Sequence, residues 1–511
     1  MRQTHRGARA WGVASLLMLP AFGLLGLIVY RCSGHFVYSL DDPYIHLELA
    51  RHLASGHYGI NASEFSAPSS SILWPFLLAP FAALPGYAFV PALLNLICLF
   101  ATLFVLARYV ANFDFARCVL LTGLIALSLN FYGLVFTGME HSLHVFLALS
   151  AAVVVLRIQR RGATPSMANL LCGVLLALSL TRYEGLAISV PLLGYLAWQG
   201  QARRALVTLA AIVTLLAGFS FFLEELDLGF VPSSILAKSQ PGAGTIVRNI
   251  GDNITRYGVL IALAPLLIYT VFRRDRALAI TLASALLLHC LFGRTGWFGR
   301  YEVYILAFFV PFIVDTTLRT RPRLALLTVL MPLAFSSLAT STLQTPSAAS
   351  NIYNQQYRMA HIADALHAPI AVNDLGLVAF TTDTYVLDLY GLGSLAALQA
   401  RRSDRNDSQW IARLMRAHDI PYAFVYEGWF PDGPSGFIKV GELWLTERRI
   451  TPASSRVSLF ARDAAHARRL IHELRLYTDT HPSSNFGIRL TASSLAKADT
   501  HLSTSTDPER P

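Results

Sequence analysis

The sequence predicts a mainly α-helical membrane protein. It is a polytopic transmembrane bundle of about 11 to 13 spans, followed by a small extracytoplasmic α/β domain. Three observations carry this. The chain of 511 residues is 54% hydrophobic and 14% charged, against about 25% charge in an average soluble domain, and its mean hydropathy is +0.48. The apolar residues come in blocks long enough to cross a hydrocarbon core of roughly 30 Å. After about residue 342 the blocks stop, and strand-like and helix-like segments alternate.

The net charge of +10 is mostly arginine. These arginines cluster in short loops between apolar blocks, where they set topology, so nucleic-acid binding is excluded as the reading of the basic balance. The five cysteines, Cys32, Cys98, Cys118, Cys172 and Cys290, lie in or beside apolar blocks. No pair has metal-ligand spacing, and no disulfide framework is implied.

Arg2, Arg6 and Arg9 precede the apolar run Trp11–Tyr30, which lacks a small-x-small cleavage site and reads as a retained first span. Further spans are expected at 87–108, 117–135, 141–157, 167–182, 184–199, 204–223, 257–272, 277–293, 301–318 and 324–341. The segment 71–85 is a shorter candidate. Basic loops at Arg157–Arg161, Arg203-Arg204, Arg273–Arg276 and Arg319–Arg323 belong inside. The N-terminus is then inside, and the loops at 31–70, 137–141, 224–256 and 294–300 lie outside with everything after 342. An odd number of spans is required. Either 71–85 is re-entrant or a further break hides in 117–157.

Residues 1–341 therefore form the membrane domain, with 31–70 its first outer loop, and 342–478 the outer α/β domain. Within the latter, Asn351–His367 reads as an amphipathic helix, Pro369–Asn373, Tyr385–Leu389 and Tyr422–Tyr426 as strands, and Trp410–His418 as a helix. The Ser-, Thr- and Asp-rich tail 479–511 reads as disordered.

The chemistry is expected in the first outer loop. Asp41 and Asp42 are adjacent carboxylates among Phe36, Tyr38, Leu40, Tyr44 and Ile45. Such a pair serves as a general base, a divalent-metal site or a topological anchor. Apolar surroundings raise a carboxylate's pKa, and neighbouring acids push each other's values apart. His46 lies about one helical turn from Asp42 and could complete a metal site with it.

From Asp41 to Trp74 the loop resembles the first outer loop of the GT-C membrane glycosyltransferases, in particular their bacterial arabinofuranosyl- and mannosyltransferase-like branch. The matching residues are Asp41-Asp42, Tyr44-Ile45, Ala50-Arg51-His52-Leu53-Ala54-Ser55-Gly56, Asn61 and Ser71-Ile72-Leu73-Trp74. Further segments follow in the family's order. They are Thr137-Gly138-Met139-Glu140, Thr181-Arg182-Tyr183-Glu184-Gly185, Pro232-Ser233-Ser234 with Ala237-Lys238, and Gly299-Arg300-Tyr301, then Val372–Gly376 and Leu387–Leu392. Three departures from the family pattern stand out: Pro75 follows the Leu-Trp pair, Tyr183 replaces a proline and Ser233 an asparagine.

The resemblance implies transfer of a sugar from a polyprenyl-phosphate donor to an extracytoplasmic glycan, lipid or protein acceptor, with inversion. It implies a bacterial inner-membrane location with the site on the periplasmic side. Asp41 or Asp42 is the implied general base, with substrate contacts from Tyr44, His57, Asn61, Glu140, Arg182 and Glu184. No cofactor is implied with certainty; a divalent cation stays open. Lys238, the first of the few lysines, and Arg300 suit the donor phosphate, although a chance lysine and a snorkelling arginine are the plainer alternatives. Arg182 and Glu184 also suit a structural ion pair. The rival function is a transporter or flippase for lipid-linked saccharides. Transporters are commonly built from repeats with midplane charges; this chain shows no repeat, and its charges gather at one face.

Overall fold

The computed structural model describes residues 2–238, 243–316, 336–403, 409–431 and 433–491. Among these residues four helices are long and apolar enough to cross a membrane: His5–Arg31, Tyr87–Tyr109, His141–Arg161 and Tyr183–Glu225. Four shorter apolar helices accompany them: Phe115–Ser128, Pro165–Thr181, Arg276–Phe292 and Val303–Val314. This is a membrane protein, and among the described residues the helices that meet the full crossing length are fewer than the expected 11 to 13 spans.

Local backbone chemistry explains the difference. The run of 43 residues Tyr183–Glu225 is kinked at Gln199 and at Gly200, whose φ of 81° needs glycine, so the expected spans 184–199 and 204–223 lie on its two sides as separate helices. The expected span 117–135 divides at Asn130, φ 55°. Its side chain accepts from Thr342 Oγ1 at 2.9 Å and donates to the Phe298 carbonyl at 3.1 Å. Segment 71–85 holds only the helix Leu73–Leu78 and the turn Ala79–Phe81, roughly 13 Å of rise, too little to cross. Helix Ala243–Phe272 breaks at Tyr257, separating a charged half from the expected span 257–272. The expected span 324–341 lies mostly outside the described residues.

His141–Arg161 is the central helix. Its apolar window is 78% buried, against 22% for Tyr183–Glu225, and it packs on Val90–Tyr109, Pro165–Thr181 and Val303–Val314. The peripheral helices turn residues such as Trp11, Phe22, Trp198 and Phe221 outward, as lipid contact requires.

Helix Ser336–Ile352 packs on Leu19–Arg31 and runs through the wide turn Tyr353–Tyr357 into helix Arg358–Ala365. The chain then builds a six-stranded sheet of β1 (Ile370–Val372), β2 (Val386–Asp388), β3 (Tyr422–Val425), β4 (Ile438–Leu445), β5 (Arg456–Ala461) and β6 (Phe486–Leu490), ordered β2-β1-β3-β5-β4-β6. β2, β1 and β3 are parallel and the other pairings antiparallel. Strand periodicity sorts the faces. Ala371, Ala423 and Val425 pack with Trp410 and Met415, while Ile370, Val372, Tyr422 and Phe424 join the core that continues into the membrane helices.

The expected disorder from residue 479 is corrected as far as β6. Phe486 is buried, and the Trp444 indole lies so close over Gly487 that an added Cβ would sit 2.1 Å from Nε1. Pairing along β4 therefore orders this stretch. Residues 492–511 lie outside the described residues.

Candidate active site

Asp41 immediately precedes helix Asp42–Ala54, which begins with Pro43 in its first turn, a position where the missing N–H costs nothing. The Asp41 carboxylate reaches across to the outer domain. It accepts the N–H of Gly376 at 2.6 Å and of Leu377 at 2.8 Å, the first turn of helix Gly376–Thr381. A Cβ on Gly376 would lie 2.1 Å from the Asp41 carbonyl oxygen, so only glycine permits this approach. Burial pushes the Asp41 pKa upward, the nearby Asp374 carboxylate adds to this, and the two amides oppose it. Asp41 is thus a joint between the outer loop and the sheet domain.

Asp42 points elsewhere. Its Oδ1 accepts from Arg300 Nη2 at 3.1 Å, and its side chain is 22% exposed where that of Arg300 is 2% exposed. Arg300 Nη2 also reaches the Tyr301 hydroxyl at 3.0 Å, and its guanidinium lies 5.0 Å from the Tyr301 ring centre. Arg300 Nε and Nη1 are buried without a hydrogen-bond partner among the described residues. Buried guanidinium N–H groups are costly to leave unmade, so this fork is shaped for an acceptor group.

These residues line a cleft of about 460 Å³ between the membrane helices and the sheet domain. Its membrane-side wall carries four arginines, Arg248, Arg256, Arg294 and Arg300. Arg248 and Arg256 come from the charged half of Ala243–Phe272, with Asp252 between them at i+4 spacing. The opposite wall carries Asn373 and Asp374 after β1, Tyr390 after β2 and Trp429 after β3. Asp374 accepts from Gln356 Nε2 at 2.7 Å and from the Tyr426 hydroxyl. Burial raises its pKa against those hydrogen bonds, and Asp42 adds to the rise.

The other site candidates whose side chains the structure describes lie off the cleft. Arg182 is buried and ion-paired with Glu140 and with Glu184, the latter at 2.9 and 3.2 Å, and it stacks 5.4 Å from Tyr301. This network supports the site from behind. Tyr44 is buried, its hydroxyl accepting the Tyr38 N–H at 3.3 Å. His57 Nε2 braces the loop at the carbonyls of Asn61, 2.8 Å, and Glu64, 3.1 Å. Asn61 pairs with both backbone groups of Val386, at 3.0 and 2.9 Å, like an added strand residue on the edge of β2. The Lys238 side chain lies outside the described residues. His46 Nε2 faces Glu140 at 3.9 Å, and no group of three His, Cys, Asp and Glu is placed to hold a metal ion among the described residues.

Sequence reasoning missed Arg248, Asp252 and Arg256, although their i, i+4 spacing was a usable signal. It gave no role to Asp374 or to Tyr390, which lie within the segments Val372–Gly376 and Leu387–Leu392, and nothing local marked Trp429.

Comparison with known proteins adds three findings. A family model described as a domain of unknown function, DUF8728, matches residues 350–461, the stretch from the wide turn to β5. No curated protein matches. Among solved structures, the crystal structure of the Archaeoglobus fulgidus oligosaccharyltransferase complex with zinc and sulfate is similar at a TM-score of 0.47 and 13% identity, covering 85% of this chain and 72% of that one.

Proposed function

We propose that the chain is an integral membrane glycosyltransferase of GT-C type. It moves a sugar from a polyprenyl-phosphate donor to an acceptor hydroxyl on the extracytoplasmic side. The observation that carries this is the Asp42–Arg300 pair at the cleft, a carboxylate open to the cleft beside a buried guanidinium with two unpartnered N–H nitrogens.

The donor phosphate takes the open fork of Arg300, with the arginine wall, and Lys238 by the family resemblance, adding positive charge. Phosphate on Nε and Nη1 leaves Nη2 with Asp42, so one guanidinium holds the donor and positions the carboxylate beside it. Asp42 then accepts the acceptor hydroxyl proton. The hydroxyl oxygen bonds the anomeric carbon as the bond to the phosphate oxygen breaks, inverting that carbon, and polyprenyl phosphate leaves. Asp41 is the poorer base, because both its oxygens are engaged by amides. A divalent cation does not suit these carboxylates: Asp41 faces two amides, Asp42 a guanidinium and Asp374 an amide and a phenol. No step runs through one.

The test is transfer from synthetic polyprenyl-phosphate sugars by purified protein in detergent. Well-folded Asp42→Asn should bind donor and lose roughly 10²- to 10⁴-fold in rate. Transfer at the wild-type rate overturns the reading, and donor flipping in proteoliposomes without transfer would install the flippase in its place.

A further inference from the structure

The cleft has two chemically different walls, and only the cationic one answers to a donor phosphate. The other is built by sheet topology. In the parallel half, ordered β2-β1-β3, the connection after β1 runs to β2 and the connection after β3 runs the opposite way, to β4. In open parallel sheets of this order the ligand crevice opens at the carboxyl ends of the strands, at the β1/β3 switch point. Here those ends deliver Asn373 and Asp374 from β1 and Trp429 from β3, with Tyr390 following β2.

Trp429 is held out deliberately. Its N–H and that of Phe430 both donate to the Tyr426 carbonyl, at 2.9 and 3.0 Å, forming one helical turn after β3. Phe430 and Tyr426 are buried, whereas Trp429 is 39% exposed. The ring is nonetheless fixed: Tyr390 lies 5.0 Å away and Tyr426 stands edge-on at 5.5 Å. The Arg401 guanidinium backs Tyr390 at 4.1 Å. Beside it, a Cβ on Gly428 would meet nothing within 4 Å, so the approach is open. A rigid aromatic surface in a polar cleft suits a ligand with one apolar face and polar edges. A sugar ring has this form: its C–H face packs on the indole while its hydroxyls reach carboxylate and amide groups such as Asp374 and Asn373.

We propose that Trp429 and Tyr390 form a saccharide-stacking platform for the acceptor, making the acceptor a glycan. This rests on the glycosyl-transfer reading above. The donor phosphate occupies the arginine wall, the acceptor sugar the aromatic wall, and Asp42 lies between them. Four arginines and four aspartates in the same lining disfavour a bare acyl chain.

The test uses full-length protein in detergent on a printed array of defined oligosaccharides, with polyprenyl monophosphate as a separate donor-side probe in calorimetry. Wild type should bind a subset of the array. Trp429→Ala and Tyr390→Ala should each weaken that binding roughly tenfold or more, Trp429→Phe should restore most of it, and polyprenyl phosphate binding should persist in all three. Absence of array binding by wild type, undiminished binding by Trp429→Ala, or transfer confined to lipid or peptide acceptors overturns the platform. Failure of the transfer reading shows separately, as loss of both polyprenyl phosphate binding and transfer in the wild-type protein.

Discussion

The Asp41 carboxylate accepts the Gly376 N–H at 2.6 Å across 335 residues of sequence, and this contact seats the sheet domain on the first outer loop. Adjacent aspartates thereby acquire different duties. Asp41 faces the helix start at Gly376, and Asp42 faces the cleft and Arg300.

Two substitutions test that division. Asp41→Asn retains one acceptor oxygen but sets an amide N–H donor against a backbone N–H, which should cost about 1–3 kcal/mol. Gly376→Ala places a Cβ 2.1 Å from the Asp41 backbone carbonyl oxygen and 2.7 Å from the carboxylate that the helix start binds, so a cost of about 1–3 kcal/mol is again expected. Both variants should show lower thermal midpoints in detergent and faster proteolysis of the outer domain. A wild-type midpoint for both would show that the contact does not hold the domain.

The proposed orientation rests on the arginine clusters and is checked by labelling. Ser66, though in the outer loop, is buried and bonds the Ile60 N–H, so exposed Ser63 and Ser435 are the useful positions. Cysteines there should react with an impermeant thiol reagent from the extracytoplasmic side. A cysteine at Ser166, shortly after the arginine-rich end of helix His141–Arg161, should react only after the membrane is opened. Protection of Ser63→Cys or Ser435→Cys in intact cells reverses the proposed sidedness.

The acidic pair and Arg300 are legible in the sequence because isolated charges beside apolar blocks are conspicuous. Their partners are not. Nothing in Asp41-Asp42 says which carboxylate turns toward residue 376 and which toward residue 300, since that depends on a fold joining distant segments. The first three strands are legible as short apolar runs. β4 carries a bulge between Lys439 and Gly441 that blurs its alternation, and β6 is ordered by pairing rather than by its own composition. Trp429 gains meaning only from the strand order, which no local pattern encodes. The break at Asn130 is not placed by local sequence, because the left-handed turn there is held by Thr342 and Phe298, both distant in the chain.

Glu48 gives a pH signature. It is buried on helix Asp42–Ala54 beside Arg51 and, at 3.4 Å, His52. Burial outweighs Arg51 and pushes its pKa up from 4.5 to about 7. The folded chain therefore keeps a proton that the unfolded chain releases above pH 4.5, so this group's stabilisation is present below pH 4.5 and is lost as pH rises to about 7. His52 is shifted down from 6.5, chiefly by burial, and contributes the opposite slope, with stability rising as pH approaches 6.5. The difference between wild type and Glu48→Gln isolates the glutamate: the thermal midpoint of the variant relative to wild type should rise between pH 5 and pH 7.5. A pH-independent difference would mean that Glu48 is not held protonated by the fold.

Substitutions at Arg300 test whether the proposed donor phosphate is held by a fork or by a mere charge. Its Nη2 serves Asp42 and Tyr301 together, its plane stacks on the Tyr301 ring, and Nε and Nη1 are left for a ligand. Lysine offers a compact ammonium without the plane or the separated donors. Arg300→Ala and Arg300→Lys should therefore both raise the donor KM roughly tenfold or more, the loss of a charge-assisted hydrogen bond of about 1.5–3 kcal/mol. The alanine variant also removes the Arg300 contact to Asp42, so kcat should fall in it as well. The lysine variant keeps a charge beside Asp42 and should lose less in kcat. Steady-state kinetics with the donor varied separates the KM effect from the kcat effect. A lysine variant with wild-type donor KM would show that a point charge suffices, and the fork would lose its role.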